Sequence, residues 1–234
     1  MAKSYNDPIK SLSRAKIKEF VAKSYSPKRF HELKVLCFPG AEQPGEEALE
    51  ILEIYDQLGI QRKNIVGLEI DKARAQRLKS AGLEIRVEEM EDLEFLVKTD
   101  QNFNIINLDY TSNFNNRQML AIDIIASKRL LNHDGILITN YLAQRENRKR
   151  IEDLCSLGKI LDSDINLLCD DAGGRLMDIL EGPSKRQISE IRSDVIQNHI
   201  ISSLFLGRGS TDPYRFSKII GKDRIGRAAL TLPP

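Results

Sequence analysis

KVLCFPGAEQPGEEALEILEIYDQLGIQRKNIVGLEID, residues 34–71, decides how the rest of the chain is read. Val35, Leu36, Cys37 and Phe38 form an apolar run that enters a turn carrying Pro39, Gly40, Pro44 and Gly45. A helical pattern follows, with Leu49, Leu52, Ile54, Tyr55 and Leu58 on its expected inner face. A second apolar run, Ile65 to Leu68, ends on the acid Glu69. Strand, glycine turn, helix, strand and acid are the order of a right-handed βαβ unit that holds a nucleotide-like ligand. The turn places backbone N–H groups at the crevice, and the acid stands where a ribose diol can donate to it.

Outward from this stretch the alternation continues. Asp71 is expected to cap a helix, KARAQRLKSAG, that Gly82 ends. Leu83–Val87 reads as a third strand running into the acidic turn Glu88 to Asp92, and Phe103–Leu108 as a fourth strand ending at Asp109 and Tyr110. Gln118–Leu131 is helical in pattern, Asp134-Gly135 marks a turn, and Ile136–Asn140 reads as a fifth strand. Such an order predicts an α/β fold, doubly wound, with a mostly parallel sheet and helices on both faces. Upstream, Leu12, Ala15, Ile17, Phe20 and Val21 recur at helical spacing among lysines, predicting an amphipathic helix over Ser11–Ser24. Downstream, Arg145–Gly158 and Arg186–Phe205 read as helices and Ile165–Cys169 as a short apolar run. The expected organisation is a basic helical segment (1–33), an α/β domain (34–206) and a basic tail (207–234).

The 234 residues suffice for one such domain with a sizeable core, and 41% hydrophobic with 29% charged residues describes an ordinary globule. No apolar run approaches the roughly 20 residues of a membrane span. A polar, basic start carries no signal segment, so a cytoplasmic protein without membrane attachment is expected. Cys37, Cys155 and Cys169 lack CxxC spacing, and His31, His133 and His199 lie far apart, so no metal site is expected. The net charge of +1 hides an asymmetry. Residues 1–34 carry nine Lys/Arg against three Asp/Glu, and residues 208–227 six against two. Ends of +6 and +4 leave −9 on the middle. Basic ends on an acidic body read either as solvated termini or as a surface for RNA or DNA phosphates. Candidate phosphate residues are Lys10, Arg14, Lys16, Lys18, Lys23, Lys28 and Arg29, with Arg208, Arg215, Lys218, Lys222, Arg224 and Arg227, interleaved by Tyr214 and Phe216.

Charge also selects the ligand. Gly40-AEQP-Gly45 has the glycine spacing of a P-loop, but Glu46 and Glu47 replace the lysine and hydroxyl and would repel a triphosphate. The G-x-G-x-x-G of a dinucleotide site is absent. A cationic, phosphate-free nucleoside suits an acidic turn better.

The succession FPGAEQPG, VGLEID, RVEEMEDL, INLDY and LLNHDGILITN resembles the motifs of class I S-adenosylmethionine (SAM)-dependent methyltransferases over about Val35 to Tyr141. The resemblance implies SAM as cofactor. It assigns Phe38, Pro39, Gly40 and Ala41 to the methionine end, Glu69 to the ribose and Glu89 with Met90 to the adenine, with Ile70 also among the cofactor-binding residues. The family's acid-x-Gly-x-Gly-x-Gly is reduced here to Gly40 and Gly45. At the end of the fourth strand, Asn107 to Tyr110 partly resembles the N-P-P-Y motif of amino-methylating nucleic-acid enzymes. In another register, Leu108 to Ser112 is similar to the L-D-P-[FY]-G-S of tRNA guanine-N2 dimethyltransferases. Both lack the proline, and both imply an amino group on a base, polarised by Asn107 or Asp109, with Tyr110 as a stacking platform. Asn140 and Tyr141 are further substrate-side candidates. The expectation is therefore a nucleic-acid amino-methyltransferase. The alternatives are a non-catalytic methyltransferase-like module, holding a protein partner through its C-terminal helices and tail, and a small-molecule methyltransferase.

Overall fold

The computed structural model describes residues 8–40, 48–110, 116–142, 215–217 and 225–231. Five strands, β1 (Val35–Cys37), β2 (Ile65–Leu68), β3 (Arg86–Glu88), β4 (Phe103–Asp109) and β5 (Leu131–Leu142), pair in parallel. Two more, β6 (Arg215–Ser217) and β7 (Ile225–Thr231), complete the order β3-β2-β1-β4-β5-β7-β6, with β7 antiparallel to both neighbours. The segment read from sequence as a basic tail thus supplies two strands of the sheet. Ala228 to Leu230 give β7 its apolar centre, but flanking glycine and basic residues mask it in the sequence.

Parallel strands covered on both faces are apolar throughout, and β1, β2 and most of β4 follow that rule. On one face Leu36, Val66, Leu68, Ile106 and Leu108 pack against α3 (Asp92–Lys98) and α4 (Asn116–Ser127). On the other, Val35, Cys37, Ile65 and Ile105 pack against α1 (Pro8–Ser24), residues 48–60 and α2 (Lys72–Ser80). Asp71 caps α2 as expected, its carboxylate accepting from the Arg74 N–H at 2.9 Å, and Gly82 follows the helix at φ 65°.

Three expectations are corrected. The face of the first crossover is rotated: Ala48, Ile51, Ile54 and Tyr55 are buried and Leu52 is 36% exposed. Residues Ile51–Tyr55 form a wide π-type turn, so a 3.6-residue wheel misplaces its inner face. In α1, Ile17 and Val21 are buried as expected, but Leu12 and Ala15 face outward and Arg14 faces in. Arg14 lies 2.5 Å from Glu53 and 3.8 Å from Glu50, and this ion pairing turns the helix. Its guanidinium, 1% exposed, is therefore removed from the phosphate-tracking set. Finally, Asp134-Gly135 does not precede β5 but lies within it, at a register break between Phe103 and Ile105 of β4. The expected helices Arg145–Gly158 and Arg186–Phe205 and the run Ile165–Cys169 lie outside the described residues. Among the described residues no helix is long and apolar enough to cross a membrane, and no His/Cys/Asp/Glu group suits a metal.

Candidate functional site

The carboxyl ends of β1, β2, β3 and β4 lie side by side, because Cys37 stands in register with both Gly67 and Asn107, and Gly67 with Val87. In an open parallel sheet that edge, where β1 separates strands wound in opposite directions, is the ligand crevice. The chain leaves β1 through Phe38, Pro39 and Gly40. Gly40 adopts φ 73°, a left-handed conformation that suits glycine, and its carbonyl accepts from the Ala48 N–H at 2.6 Å. Pro39 is buried over Gly67 of β2, where the absence of a side chain makes room for its ring. The first turn is thereby pinned beside the end of β2. Ala41, assigned with it from sequence, lies outside the described residues.

Glu69 follows β2 and prolongs its ladder, donating its N–H to the Glu88 carbonyl at 3.1 Å. It is half-buried, and its Oε1 accepts from the Asp71 N–H at 2.9 Å. Its other oxygen has no partner among the described residues, as a diol-binding carboxylate requires. Ile70, beside it, is 63% exposed. At the end of β3, Glu88 is paired with Arg86, Glu89 is exposed, and Met90 rests half-buried on the core next to α3. Carboxylates with an exposed apolar side chain suit a cation joined to a flat heterocycle and a diol, and SAM has those parts.

The three residues taken from β4 are not brought together. Asn107 is 1% exposed inside the sheet, its amide donating to the Tyr55 hydroxyl at 3.1 Å. Burial pushes that phenol well up, so it stays protonated. Asp109, two residues on and on the same face by strand alternation, is half-exposed at the strand end, in register with Asn140 of β5. Tyr110 turns to the opposite face. Its ring meets Phe38 edge-on at 5.5 Å, and its hydroxyl donates to Asp92 Oδ2 at 2.7 Å. Burial first, then the Asp92 charge, holds that hydroxyl far above the usual phenol range. Its ring and hydroxyl are thus both engaged within the protein.

Two residues that sequence reading passed over complete this edge. Asp92, 6% exposed at the start of α3, receives Tyr110 on one oxygen and Arg117 of α4 on the other, at 2.5 Å. Arg117 also bonds Glu91 at 3.0 Å. Asp92 lies in a run of acids and Arg117 in an asparagine-rich polar stretch, and no local spacing marks either. Of the basic N-terminal residues, Lys18 donates to Gln57, Lys23 pairs with Glu19, and Arg29 with Asp134.

No protein-family model matches the chain, and no curated protein matches it by sequence. By structure it is similar to HI0767 of Haemophilus influenzae, designated a methylase. The TM-score is 0.52 and the identity 12%, over 96% of this chain and 99% of that one. It is similar too to yhhF of Escherichia coli, designated a methyltransferase, with TM-score 0.53 and 9% identity over 97% and 87% of the two chains. Identities of this size speak for the fold. Strand order, the reversed β7 and these likenesses agree: the chain has the fold of the class I SAM-dependent methyltransferases.

Proposed function

We propose that the protein is a SAM-dependent methyltransferase that methylates an amino group on a nucleic-acid base. One observation carries the reading. Two half-exposed carboxylates, Glu69 after β2 and Asp109 at the end of β4, stand at one edge of the sheet with the Pro39-Gly40 turn between them. Glu69 accepts hydrogen bonds from the ribose hydroxyls, Ile70 and Met90 flank the adenine, and the turn after β1 receives the methionine end. Bound SAM supplies an electrophilic methyl group on a sulfonium. Asp109 would accept an N–H of the incoming amine, keep the nitrogen lone pair turned to the crevice, and take the proton released as the C–N bond forms and the methyl–sulfur bond breaks, its electron pair staying on sulfur in the thioether product. Orientation of the nucleophile then supplies much of the rate.

Support for a nucleic-acid acceptor comes from the basic terminal segments, of which Lys28 is exposed and outside any ion pair among the described residues. The second reading, a non-catalytic module, draws on the reduced glycine set of the first turn. Calorimetry with SAM, followed by tritium transfer from labelled SAM to unmodified RNA and DNA oligonucleotides, tests both. Micromolar binding with transfer to a base supports the enzyme, binding without transfer to any oligonucleotide removes the nucleic-acid acceptor, and no binding favours the module.

A further inference from the structure

The Asp92 carboxylate joins parts of the chain that are distant in sequence. Its two oxygens hold Tyr110, the residue just after β4, and Arg117, in the first turn of α4. Residues 111–115 lie between those two points, so one buried carboxylate anchors both flanks of the β4–α4 connection. The chain bends sharply at this place. The Tyr110 N–H donates to the Leu108 carbonyl at 3.2 Å, which makes Asp109 the central residue of a three-residue turn. Side-chain alternation along β4 would end here, yet Tyr110 still packs on the α3–α4 face against Phe38, the first residue after β1. The ring of Tyr110 is thus held by Phe38 and its hydroxyl by Asp92, with Asp109 the residue just before it.

Burying a carboxylate is costly unless it is well bonded, and Asp92 is bonded on both oxygens. A phenylalanine at 110 would fill the same apolar space. The hydroxyl and its buried acceptor are the additional element, one residue from Asp109.

We propose that Asp92 and Tyr110 are positioning residues for Asp109: the Tyr110–Asp92 hydrogen bond sets the turn that holds the acceptor-side carboxylate in place. This rests on the reading of Asp109 as the group that receives the amine proton. Tyr110→Phe keeps the ring and removes the donor, while Asp92→Asn keeps the shape and removes the charge. Both variants and the double variant are compared with the wild-type chain in three measurements. Calorimetry should give SAM affinities within about twofold of wild type, because neither residue belongs to the proposed cofactor set. Amide hydrogen exchange should rise about tenfold or more at Asp109 and Tyr110 in both variants, with Val35 to Cys37 of β1 unchanged. Tritium transfer from labelled SAM to the oligonucleotide pool should show kcat down about 10- to 100-fold at an unchanged KM for SAM. The double variant should lose no more than either single one, since the two side chains act as one unit.

Wild-type exchange at Asp109 in both variants, or a wild-type kcat, overturns the proposal. A wild-type protein that binds SAM and methylates none of the oligonucleotides removes the nucleic-acid reading instead, and the exchange measurement then decides the anchor without it. Loss of SAM binding in Tyr110→Phe would also overturn it, by placing Tyr110 in cofactor binding.

Discussion

The ring of Pro39 lies so close to the bare Cα of Gly67 that a Cβ there would meet Pro39 Cγ at 3.1 Å and Cδ at 3.4 Å. Two strands end side by side at this contact, and the turn leaving β1 takes its place from it. A proline ring has little freedom, so an added methyl group moves the backbone of residues 38–40. Gly67→Ala is therefore expected to cost about 1–3 kcal/mol of folding stability and to weaken SAM binding, checked by urea unfolding and calorimetry. Full SAM affinity with unchanged stability would show that the turn has room to spare.

Glu69→Ala should lower SAM affinity about 10- to 100-fold, the loss of a charged acceptor worth about 1.5–3 kcal/mol. Glu69→Gln, which keeps one carbonyl oxygen, should fall between that variant and wild type. Calorimetric affinities equal to wild type in both would remove the ribose assignment.

Asp109→Asn retains shape and loses the proton acceptor. Methyl transfer should drop about 10²- to 10⁴-fold while the SAM dissociation constant stays within about twofold. The split between rate and affinity is the diagnostic, measured by single-turnover transfer and calorimetry on the same preparation.

Arg14 is expected to matter for stability and not for nucleic-acid binding. Arg14→Ala removes a buried guanidinium 2.5 Å from Glu53 and 3.8 Å from Glu50, and the cost should reach about 3–5 kcal/mol. Salt-dependent RNA affinity of the folded fraction should be unchanged. Lys28→Ala should show the reverse pattern.

Cys37 is wholly buried, and burial pushes its thiol well up, with the Glu50 charge adding to the shift. A group whose folded pKa is raised gives stability that is complete below its unfolded value and lost as pH climbs past it. Stability should therefore begin to fall above about pH 8.5, the value of an unfolded thiol. A Cys37→Ser variant should lack that limb in urea midpoints taken across the alkaline range. In native protein the tryptic peptide carrying Cys37 should stay unalkylated by iodoacetamide.

The sheet was legible because buried parallel strands leave unbroken apolar runs, and VLCF, IVGL and FNIINL are such runs. The cap at Asp71 and the stop at Gly82 were legible for the same local reason. Long-range pairing was not. Nothing near Arg14 in the chain announces Glu50 and Glu53, and nothing near Tyr110 announces Asp92, so each looked like solvent-facing or stacking chemistry. The π-type turn at Ile51–Tyr55 defeated a fixed helical period, which placed Leu52 inward where Ile51 goes. At the candidate site, Glu69 and Asp109 could be read from strand ends, whereas the separation of Tyr110 onto the other face needed the fold.

The reversed strand has a consequence for how the protein comes into being. Because β7 is the hydrogen-bonding neighbour of β5, Leu142 has no strand partner on that side until Ile225 has been made, and Ile136 none until Thr231. During synthesis the nascent chain therefore carries a long raw edge, the kind of surface that recruits stray strands. Cells short of trigger-type chaperones should accumulate this polypeptide in inclusion bodies, and a version ending before Ile225 should do so even when chaperones are plentiful.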